Sequence, residues 1–170
     1  KEGLNGTNKT FLETGAGLST LLFLCAKPSK VLTICLEEED FFKRLKNSIE
    51  DLNLSKEKLE INKGLSEIIL PQLVLNREPF VDFVLIDGGH GWPTVFTDFC
   101  YSNYSLKQNG FLAIDDTQLY SVNELKNLLC EHPGWEVVMV EQKLTIFKKL
   151  WEDRLLKDFG SQPYINRVID

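Results

Sequence analysis

The sequence predicts an α/β fold with a doubly wound, seven-stranded mixed sheet. The first observation is a regular alternation of short apolar runs with longer helical patterns, which gives five strand–helix units along the 170-residue chain. The second is a pair of apolar runs near the C-terminus that are joined by three polar residues, which is typical of an antiparallel hairpin. Alternation implies parallel strands with helices on both faces, and the terminal hairpin makes the sheet mixed.

The composition is that of a folded, soluble domain. Hydrophobic residues make up 43% of the chain and charged residues 26%, and 170 residues suffice for one domain with a sizeable core. We expect a single domain over residues 1–170, with 1–9 as a loop or frayed end and 160–170 as a polar tail. The net charge is −6 without a long Lys/Arg cluster. Nucleic acid is therefore not expected as a partner, since neutralising phosphates needs a basic face.

The start of the chain resembles neither a secretion signal nor a membrane span, because the apolar stretch 21–26 is short and follows a polar segment. We expect a cytoplasmic protein without a membrane partner. The chain lacks an initiator Met and opens almost directly on a strand, from which we expect that upstream residues are missing. The four cysteines show no CxxC spacing, which predicts core thiols in a reducing compartment: Cys25, Cys35, Cys100 and Cys130.

The first unit combines a short strand, a glycine turn and a helix within residues 10–26. Gly15 and Gly17 let the backbone turn sharply and approach a ligand, and the helix that follows points free N–H groups to the same place. Either Ser19 or Thr20 can cap this helix. The turn is therefore a candidate binding loop.

The next two units are less regular. A strand at 31–35 precedes an acidic run at 37–40, which begins a helix to about residue 51. Acids favour the first turn of a helix, so residues 38–40 are expected to be a solvated helix start. A weaker strand at 59–62 precedes a helix from Gly64 to about residue 75, which Pro71 interrupts or ends early.

The later units are clearer. Strands are predicted at 81–86 and 111–114, with a crossover helix within 92–107 that stops at Asn109-Gly110. A capping box at 121–124 precedes a helix over 125–130, and strands at 135–140 and 144–147 form the hairpin. Residues 151–159 are compatible with one last helix.

Acidic residues follow both strands of the predicted crossover. Asp87 follows the first strand, with His90 three residues later, and Asp115 and Asp116 follow the second. A right-handed crossover brings the carboxyl ends of both strands to one edge, where open α/β sheets bind ligands. We therefore expect these side chains to converge.

Structural roles are open alternatives for several of these polar and aromatic residues. Asp115-Asp116 could instead cap a turn, and His90 could hydrogen-bond a loop backbone. Trp92 could stack on a cofactor ring or fix the helix start. Asp98 is expected to face solvent or to be structural, and His132 to be a surface residue at a helix end.

Two motifs carry a family resemblance. Residues 13–19, Glu-Thr-Gly-Ala-Gly-Leu-Ser, resemble the glycine loop of class I S-adenosylmethionine (SAM)-dependent methyltransferases, which have a Rossmann-like fold. The Ile-Asp-Gly-Gly-His element at 86–90 with the Asp pair at 115–116 is similar to the metal-assisted O-methyltransferases that act on small molecules of the sugar and macrolide type. The resemblance covers roughly residues 11–148.

The resemblance implies roles for individual residues. An acid after the second strand, here Glu37, would bind the ribose, and Ser66 would lie at the adenine side. Asp87 and His90 would be catalytic, and Asp87 would also contact the cofactor. Asp87, Asp115 and Asp116 would hold a divalent cation, with Mg²⁺ as the candidate. The cofactor loop would be formed by Glu13, Thr14, Gly15, Ala16, Gly17 and Ser19.

The sequence departs from the family pattern in three places. Cys35 stands where many members have the ribose acid, with Glu37 two residues later. The Gly-Asp pair common after the third strand appears as Lys63-Gly64, and the N-terminal segment that usually covers the pocket is short or absent in this sequence.

The function predicted is SAM-dependent O-methylation of a small-molecule hydroxyl with metal assistance. The expected partner is that hydroxyl acceptor, and a homodimer is an open alternative. A second hypothesis is a SAM-binding interaction domain without catalysis. A third, an NAD-dependent oxidoreductase, is weaker because Thr20 stands where the third glycine of the dinucleotide fingerprint belongs.

Overall fold

The computed structural model describes residues 7–152, 160 and 162–165. Within these ranges strands and helices alternate as the sequence predicts. The elements are β1 (Thr10–Thr14), α1 (Leu18–Cys25), β2 (Lys30–Cys35), α2 (Glu39–Asp51), a 3-10 turn (Lys56–Lys58), β3 (Leu59–Lys63), α3 (Ser66–Val74), β4 (Val81–Ile86), α4 (Thr94–Ser105), β5 (Leu106–Ile114), α5 (Tyr120–Glu131), β6 (Trp135–Val140) and β7 (Thr145–Lys149).

The strands form one seven-stranded sheet in the order β3-β2-β1-β4-β5-β7-β6. Strands β1 to β5 are parallel to one another, and β7 is antiparallel to both β5 and β6. The predicted fold class is therefore confirmed. The strand order reverses between β1 and β4, and a crevice opens at such a point beyond the carboxyl ends of the strands.

The core lies on both faces of the sheet, which explains why the central strands are continuous apolar runs. Leu12 of β1 has no exposed surface and pairs in register with Leu32 on one side and Val84 on the other. The larger cluster packs α3, α4 and α5 on one face, and the smaller one packs α1 and α2 on the other. These buried faces hold the carboxyl ends of β1, β2 and β4 in place.

A buried lysine joins the hairpin to the end of α4. Lys149 of β7 has no exposed surface, and its Nζ donates hydrogen bonds to the carbonyl oxygens of Asn103 at 2.8 Å and Leu106 at 2.9 Å. These carbonyls lie at the C-terminal end of α4, where a helix has free acceptors and favours a cation.

Pro71 does not end α3, contrary to the interruption predicted from the sequence. The helix runs through Pro71 to Val74, and the N–H of Leu75 donates to the carbonyl of Pro71. A proline removes one hydrogen bond to the preceding turn. Leu70 and Val74 are buried against the sheet, and this packing offsets the loss.

The predicted helix stop at Asn109-Gly110 is also wrong. Helix α4 ends at Ser105, and both residues lie inside β5, which begins at Leu106. The pairing of β4 with β5 shifts between Val81 and Phe83, and Asn109 has a positive φ of 63°. Asn and Gly tolerate this conformation both at a helix end and at a strand irregularity, so the dipeptide could not distinguish the two.

The predicted capping box ahead of α5 is absent. The helix begins at Tyr120, its cap residue is Leu119, and no side chain caps it. The hydroxyl of Ser121 donates instead to the backbone carbonyl of His90. This contact ties the start of α5 to the loop after β4.

Three further expectations concern the surface and the ends of the chain. Cys35 is buried, but Cys25, Cys100 and Cys130 are exposed, so the prediction of core thiols is wrong for three of them, and all four are free. Residues 38–40 are exposed at the start of α2, as expected. Residues 1–6 and most of the predicted last helix and tail lie outside the described residues; 151 and 152 are not helical.

No described helix combines the length and the apolar character that crossing a bilayer requires.

Candidate active site

A cleft of about 340 Å³ opens at the carboxyl ends of β1, β2 and β4. Its walls are the glycine loop after β1, the loop after β2, the start of α3 and the loop after β4. It lies at the point where the strand order reverses, which is where open α/β sheets bind ligands. Most of the residues predicted to bind the cofactor line it: Thr14, Gly15, Ala16, Glu37, Ser66 and Asp87.

Gly15 fixes the shape of the loop. Its φ is +92°, and a Cβ at this position would overlap the carbonyl oxygen of Asp87 and lie 2.9 Å from the carbonyl carbon. The N–H of Gly15 donates to the carbonyl of Ile34 at 2.8 Å, and the N–H of Asp87 donates to the carbonyl of Thr14 at 3.0 Å. The loop is therefore held between β2 and β4, and only glycine fits there without strain.

Glu13 organises the loop from behind. It has no exposed surface, and its carboxylate accepts hydrogen bonds from the hydroxyls of Ser19 at 2.7 Å, Thr20 at 2.5 Å and Thr33 at 2.7 Å. Burial raises the pKa of Glu13, the three hydroxyls lower it, and the negative charge of Asp87 raises it further. Glu13 and Ser19 thus lie outside the lining of the cleft.

The same contacts settle how α1 begins. The hydroxyl of Thr20 accepts a hydrogen bond from the N–H of Gly17 at 3.1 Å, while the cap residue of the helix is Gly17 itself. Neither Ser19 nor Thr20 is the cap residue that the sequence predicts, because both lie inside the helix, which begins at Leu18.

Replacing Glu13 by alanine should lower the free energy of unfolding by about 3 kcal/mol, because three hydroxyls, two of them on fully buried residues, lose their acceptor at once. Denaturant unfolding of Glu13→Ala measures this. The matched control is Glu57→Ala, an exposed glutamate of the 3-10 turn. Equal stability of the two variants would show that the buried hydroxyls do not need Glu13.

The side of the cleft that the sequence predicts for a ribose contains both candidate residues, Cys35 and Glu37. Cys35 ends β2 with a buried thiol, and burial, together with the charges of Glu37 and Glu13, raises its pKa to about 11. Glu37 is exposed on the loop two residues later and lines the same cleft. The thiol stays neutral at physiological pH, so a carboxylate on this side comes from Glu37.

The side of the cleft that the sequence predicts for an adenine is formed by the start of α3. Ser66 is the first residue of this helix, and the cap residue is Leu65, without a side-chain bond. The Ser66 hydroxyl lies 3.4 Å from the Glu67 carboxylate, and both residues line the cleft.

The acidic residues after β4 and β5 converge with His90. The imidazole Nε2 lies 3.8 Å from Asp87 Oδ1, and Nδ1 lies 3.7 Å from Asp116 Oδ2. Burial raises the pKa of Asp87, as do the charges of Asp115 and Asp116, whereas His90 lowers it. The N–H of Asp115 donates to the carbonyl of Ile86 at 3.0 Å, which keeps the ends of β4 and β5 side by side.

These carboxylates do not form a preassembled metal site. Among the described residues, no group of three or more His, Cys, Asp or Glu side chains is arranged to hold a metal ion. Asp116 Oδ1 accepts a hydrogen bond from Gln118 Nε2 at 2.8 Å, so one candidate oxygen already has a partner. The chemistry still suits a hard cation: Asp87, Asp115 and Asp116 offer oxygen ligands, and their mutual repulsion would be relieved by a positive charge.

Three further residues have surroundings that the sequence does not reveal. His132 is buried rather than on the surface; its Nδ1 accepts from the N–H of Gly134 at 3.1 Å, and its ring packs on Trp151. Trp92 is 79% exposed, two residues before the start of α4. Asp98 is fully buried, so it does not face solvent.

Sequence reasoning missed Ser121 as a support for the His90 loop and Asp98 as a neighbour of the cleft. The register of α4 contained a signal for Asp98, because the apolar residues Val95 and Phe99 at helical spacing share its buried face. No comparable signal existed for Ser121, whose partner is a backbone carbonyl on another element.

Several solved structures share this fold. They include the O-methyltransferase TomG from Streptomyces achromogenes, involved in tomaymycin synthesis and in complex with SAM, at 17% identity and a TM-score of 0.71 over 84% of this chain and 74% of that one. A putative caffeoyl-CoA O-methyltransferase from Staphylococcus aureus has 18% identity and a TM-score of 0.65 over 83% and 76%. MycE from the mycinamycin biosynthetic pathway, in complex with Mg, SAH and mycinamycin VI, has 15% identity and a TM-score of 0.59 over 86% and 46%.

At identities of 15–18%, the likeness to these structures establishes the fold alone. No curated protein matches the sequence. Residues 12–117, more than half of the chain, match the family described as a methyltransferase domain, and they contain both the glycine loop and the acidic cluster. The chain therefore belongs to the methyltransferase-domain family, as the two sequence motifs predict.

Proposed function

We propose that this domain transfers a methyl group from SAM to a hydroxyl of a small molecule, with the assistance of a divalent cation. One observation carries the proposal: Asp87 belongs both to the lining of the cleft and to the acidic cluster with His90. A methyl donor in the cleft and an acceptor at the acidic cluster would therefore both lie next to Asp87. Such positioning of two reactants is a large part of catalysis in a transfer between them.

The cleft suits SAM in its polar lining. The backbone at Gly15 and Ala16 is open to a ligand, Glu37 offers a carboxylate for ribose hydroxyls, and Ser66 lies where the adenine would be. The bound SAM in TomG and the SAH in MycE, which share the fold, support this assignment. The cofactor contact proposed for Asp87 would come from its backbone, whose N–H donates to the carbonyl of Thr14 and whose carbonyl lies against Gly15.

A cation would be held by the carboxylates of Asp87, Asp115 and Asp116, and when bound it would acidify and fix the acceptor hydroxyl. The magnesium in MycE supports this part of the proposal. The raised pKa of Asp87 supports it too, because crowded carboxylates favour a bound positive charge.

His90 is the candidate general base. Its Nε2 is buried and makes no hydrogen bond among the described residues, so no protein donor occupies it, and a rotation of the ring would bring it to the proton of an acceptor hydroxyl. Asp116 faces Nδ1 and would stabilise the imidazolium that forms. The Ser121 hydroxyl holds the backbone of His90 and so keeps the ring beside Asp87 and Asp116.

The acceptor side combines acidic and aromatic residues. Trp92 is 79% exposed and Tyr120 82%, and both lie within two positions of the contact between His90 and Ser121. Large exposed aromatic side chains of this kind are typical of binding surfaces. They favour an acceptor with an apolar or aromatic body, and the neighbouring carboxylates disfavour an anionic one.

The proposal is tested by incubating the protein with methyl-labelled SAM and a panel of small hydroxyl compounds. We expect label to be transferred to at least one acceptor. Binding of SAM without transfer to any acceptor would favour the second hypothesis, a non-catalytic SAM-binding domain. The neutral Cys35 at the usual ribose-acid position is the observation that keeps that hypothesis open.

Removal of the cation should abolish turnover. Calorimetric titration of the protein with Mg²⁺ should give a binding heat, and Asp115→Asn should weaken the binding at least about tenfold because one ligand is lost. Asp51→Asn, an exposed aspartate at the end of α2, is the matched control. Full turnover in the presence of excess chelator would rule out metal assistance.

A further inference from the structure

A second cleft lies at the opposite edge of the sheet from the proposed SAM cleft. Its volume is about 550 Å³, against about 340 Å³ for the cleft at the carboxyl ends of the strands. It is bounded by the residues before β1, the last turn of α1, the chain after α2 and the turn before β3. These elements meet at the amino ends of β1, β2 and β3, and we call this second cleft the amino-edge groove.

The amino-edge groove is positively charged. Lys27 and Lys58 line it, and both residues are exposed. Neither lysine has a carboxylate within ion-pair distance among the described residues, whereas the neighbouring Lys30 lies 2.6 Å from Glu60. None of the described residues that line the groove is an Asp or a Glu. Two uncompensated positive charges therefore lie in one groove of a chain whose net charge is −6.

The backbone of Lys27 has an unfavourable conformation. Its φ is +55°, in the left-handed region that glycine adopts freely and lysine does not. Lys27 follows the end of α1, where glycine is the usual residue in this conformation. Strained residues are concentrated at functional sites, and what lysine adds over glycine is its charged side chain. The backbone therefore points to a role for that charge.

The remaining lining combines an apolar floor with polar donors. Leu24 is 3% exposed and Leu54 is half-buried, and both pack in the smaller core cluster. Asn53 and Ser55, which are exposed, offer an amide and a hydroxyl as hydrogen-bond donors. The groove thus suits a ligand that has both an anionic group and an apolar body.

The two helix ends at the groove do not cancel its positive charge. Free carbonyl groups at the C-terminal end of a helix disfavour an anion. Here the N–H groups of Ala26 and Lys27 donate to carbonyls in the last turn of α1, and those of Asn53 and Leu54 donate to carbonyls in the last turn of α2. Because these carbonyls already have donors, the negative ends of both helices are weakened.

We propose that the amino-edge groove binds a phosphate monoester with an apolar body, and that Lys27 and Lys58 hold the phosphate. A phosphate monoester carries about 1.5 to 2 negative charges at neutral pH, which match the two lysines, and its oxygens accept hydrogen bonds from ammonium groups. The volume of about 550 Å³ exceeds what a phosphate alone fills, so the apolar body lies against Leu24 and Leu54. The inference does not rest on the proposed methyl transfer, because the two clefts share no lining residue.

Calorimetric titration with phenyl phosphate, inorganic phosphate and phenol tests the proposal. We expect saturable heat for phenyl phosphate, weaker binding of inorganic phosphate and none of phenol. Lys27→Gln and Lys58→Gln should each weaken phenyl phosphate binding at least about fivefold, because each removes a charged donor. The matched control is Lys46→Gln, an exposed lysine of α2 outside the groove, which should bind like the wild type. No heat for phenyl phosphate, or an equal loss of affinity in the control, overturns the inference.

The thiol of Cys25 locates the bound ligand without any mutation. Cys25 is free, exposed and part of the lining, whereas Cys130 is free and exposed on α5, outside the groove. Phenyl phosphate should slow the alkylation of Cys25 by iodoacetamide in proportion to the occupancy of the groove, and Cys130 should react at an unchanged rate. Mass spectrometry of the two peptides measures both rates. Unchanged alkylation of Cys25 at saturating phenyl phosphate would place the ligand elsewhere and overturn the inference.

Lys27→Gly separates ligand binding from a role at the helix end. Glycine adopts the φ of +55° without strain, so this variant should unfold at a higher temperature than Lys27→Gln and yet bind phenyl phosphate equally weakly. If Lys27 were only a helix-end residue, its replacement by glycine would leave phenyl phosphate binding unchanged. Neither variant should change the affinity for S-adenosylhomocysteine (SAH). Competition between SAH and phenyl phosphate would mean that both occupy the SAM cleft, and it would overturn the inference while leaving the proposed function intact.

Discussion

Asp87→Asn should reduce methyl transfer at least about a hundredfold while the protein stays folded. Asp87 is the residue shared by the cleft and the acidic cluster, and its carboxylate lies 3.8 Å from the Nε2 of His90. Asparagine keeps the size of the side chain but removes the charge that would hold a cation. The loss should appear in turnover far more than in SAH affinity, because the loop contacts of Asp87 come from its backbone.

Asp87→Asn is not expected to destabilise the protein at neutral pH. Burial and the charges of Asp115 and Asp116 raise the pKa of Asp87 in the folded protein. The carboxyl therefore contributes stability below its unfolded pKa and loses it as the pH rises, so the free energy of unfolding at neutral pH should not fall in Asp87→Asn. The matched control, Asp51→Asn, should retain wild-type turnover. An Asp87→Asn enzyme that is fully active and indifferent to Mg²⁺ would exclude the proposed metal scheme.

Gly15→Ala should reduce SAH affinity at least about a hundredfold and destabilise the fold by about 3 kcal/mol. The new Cβ would overlap the carbonyl oxygen of Asp87, and the φ of +92° is unfavourable for alanine. Hydrogen bonds to Ile34 and between Thr14 and Asp87 hold both sides of the clash. The clash can therefore be relieved only if the loop or the end of β4 moves, and both line the cleft.

Calorimetry with SAH and denaturant unfolding measure the two effects of Gly15→Ala. Gly91→Ala is the matched control, since a Cβ on Gly91 meets no atom within 4 Å and Gly91 does not line the cleft. The control should unfold like the wild type. A Gly15→Ala protein with wild-type stability and SAH affinity would mean that the loop does not have the tight approach described above.

Much of the fold could be predicted from the sequence because the parallel strands are buried on both faces. Their runs of apolar residues, such as Val81–Ile86, identify them as strands because helical patterns separate the runs. The same topology places Asp87 next to the Asp115 pair, since the ends of neighbouring parallel strands share an edge. The convergence of these acids thus followed from strand order rather than from any local signal.

The errors concern residues with two compatible roles. Asn109-Gly110 suits a helix end and a strand irregularity equally, and Ser121 suits a cap and a tertiary hydrogen bond. Which of the two roles such a residue takes depends on its contacts with elements that are distant in sequence. Asp98 is a related case: an acid in a helix usually faces water, and the weaker signal from Val95 and Phe99 on the same helix face was correct, since α4 packs on α3 and buries this carboxyl.

The central claim is that the cleft between the glycine loop and the loop after β4 binds SAM. Calorimetric titration of the wild-type protein with SAM, SAH and NAD, each with and without Mg²⁺, tests it most directly. We expect saturable heats for SAM and SAH, and none for NAD. A heat for NAD alone, or no heat for either SAM or SAH, would contradict the account.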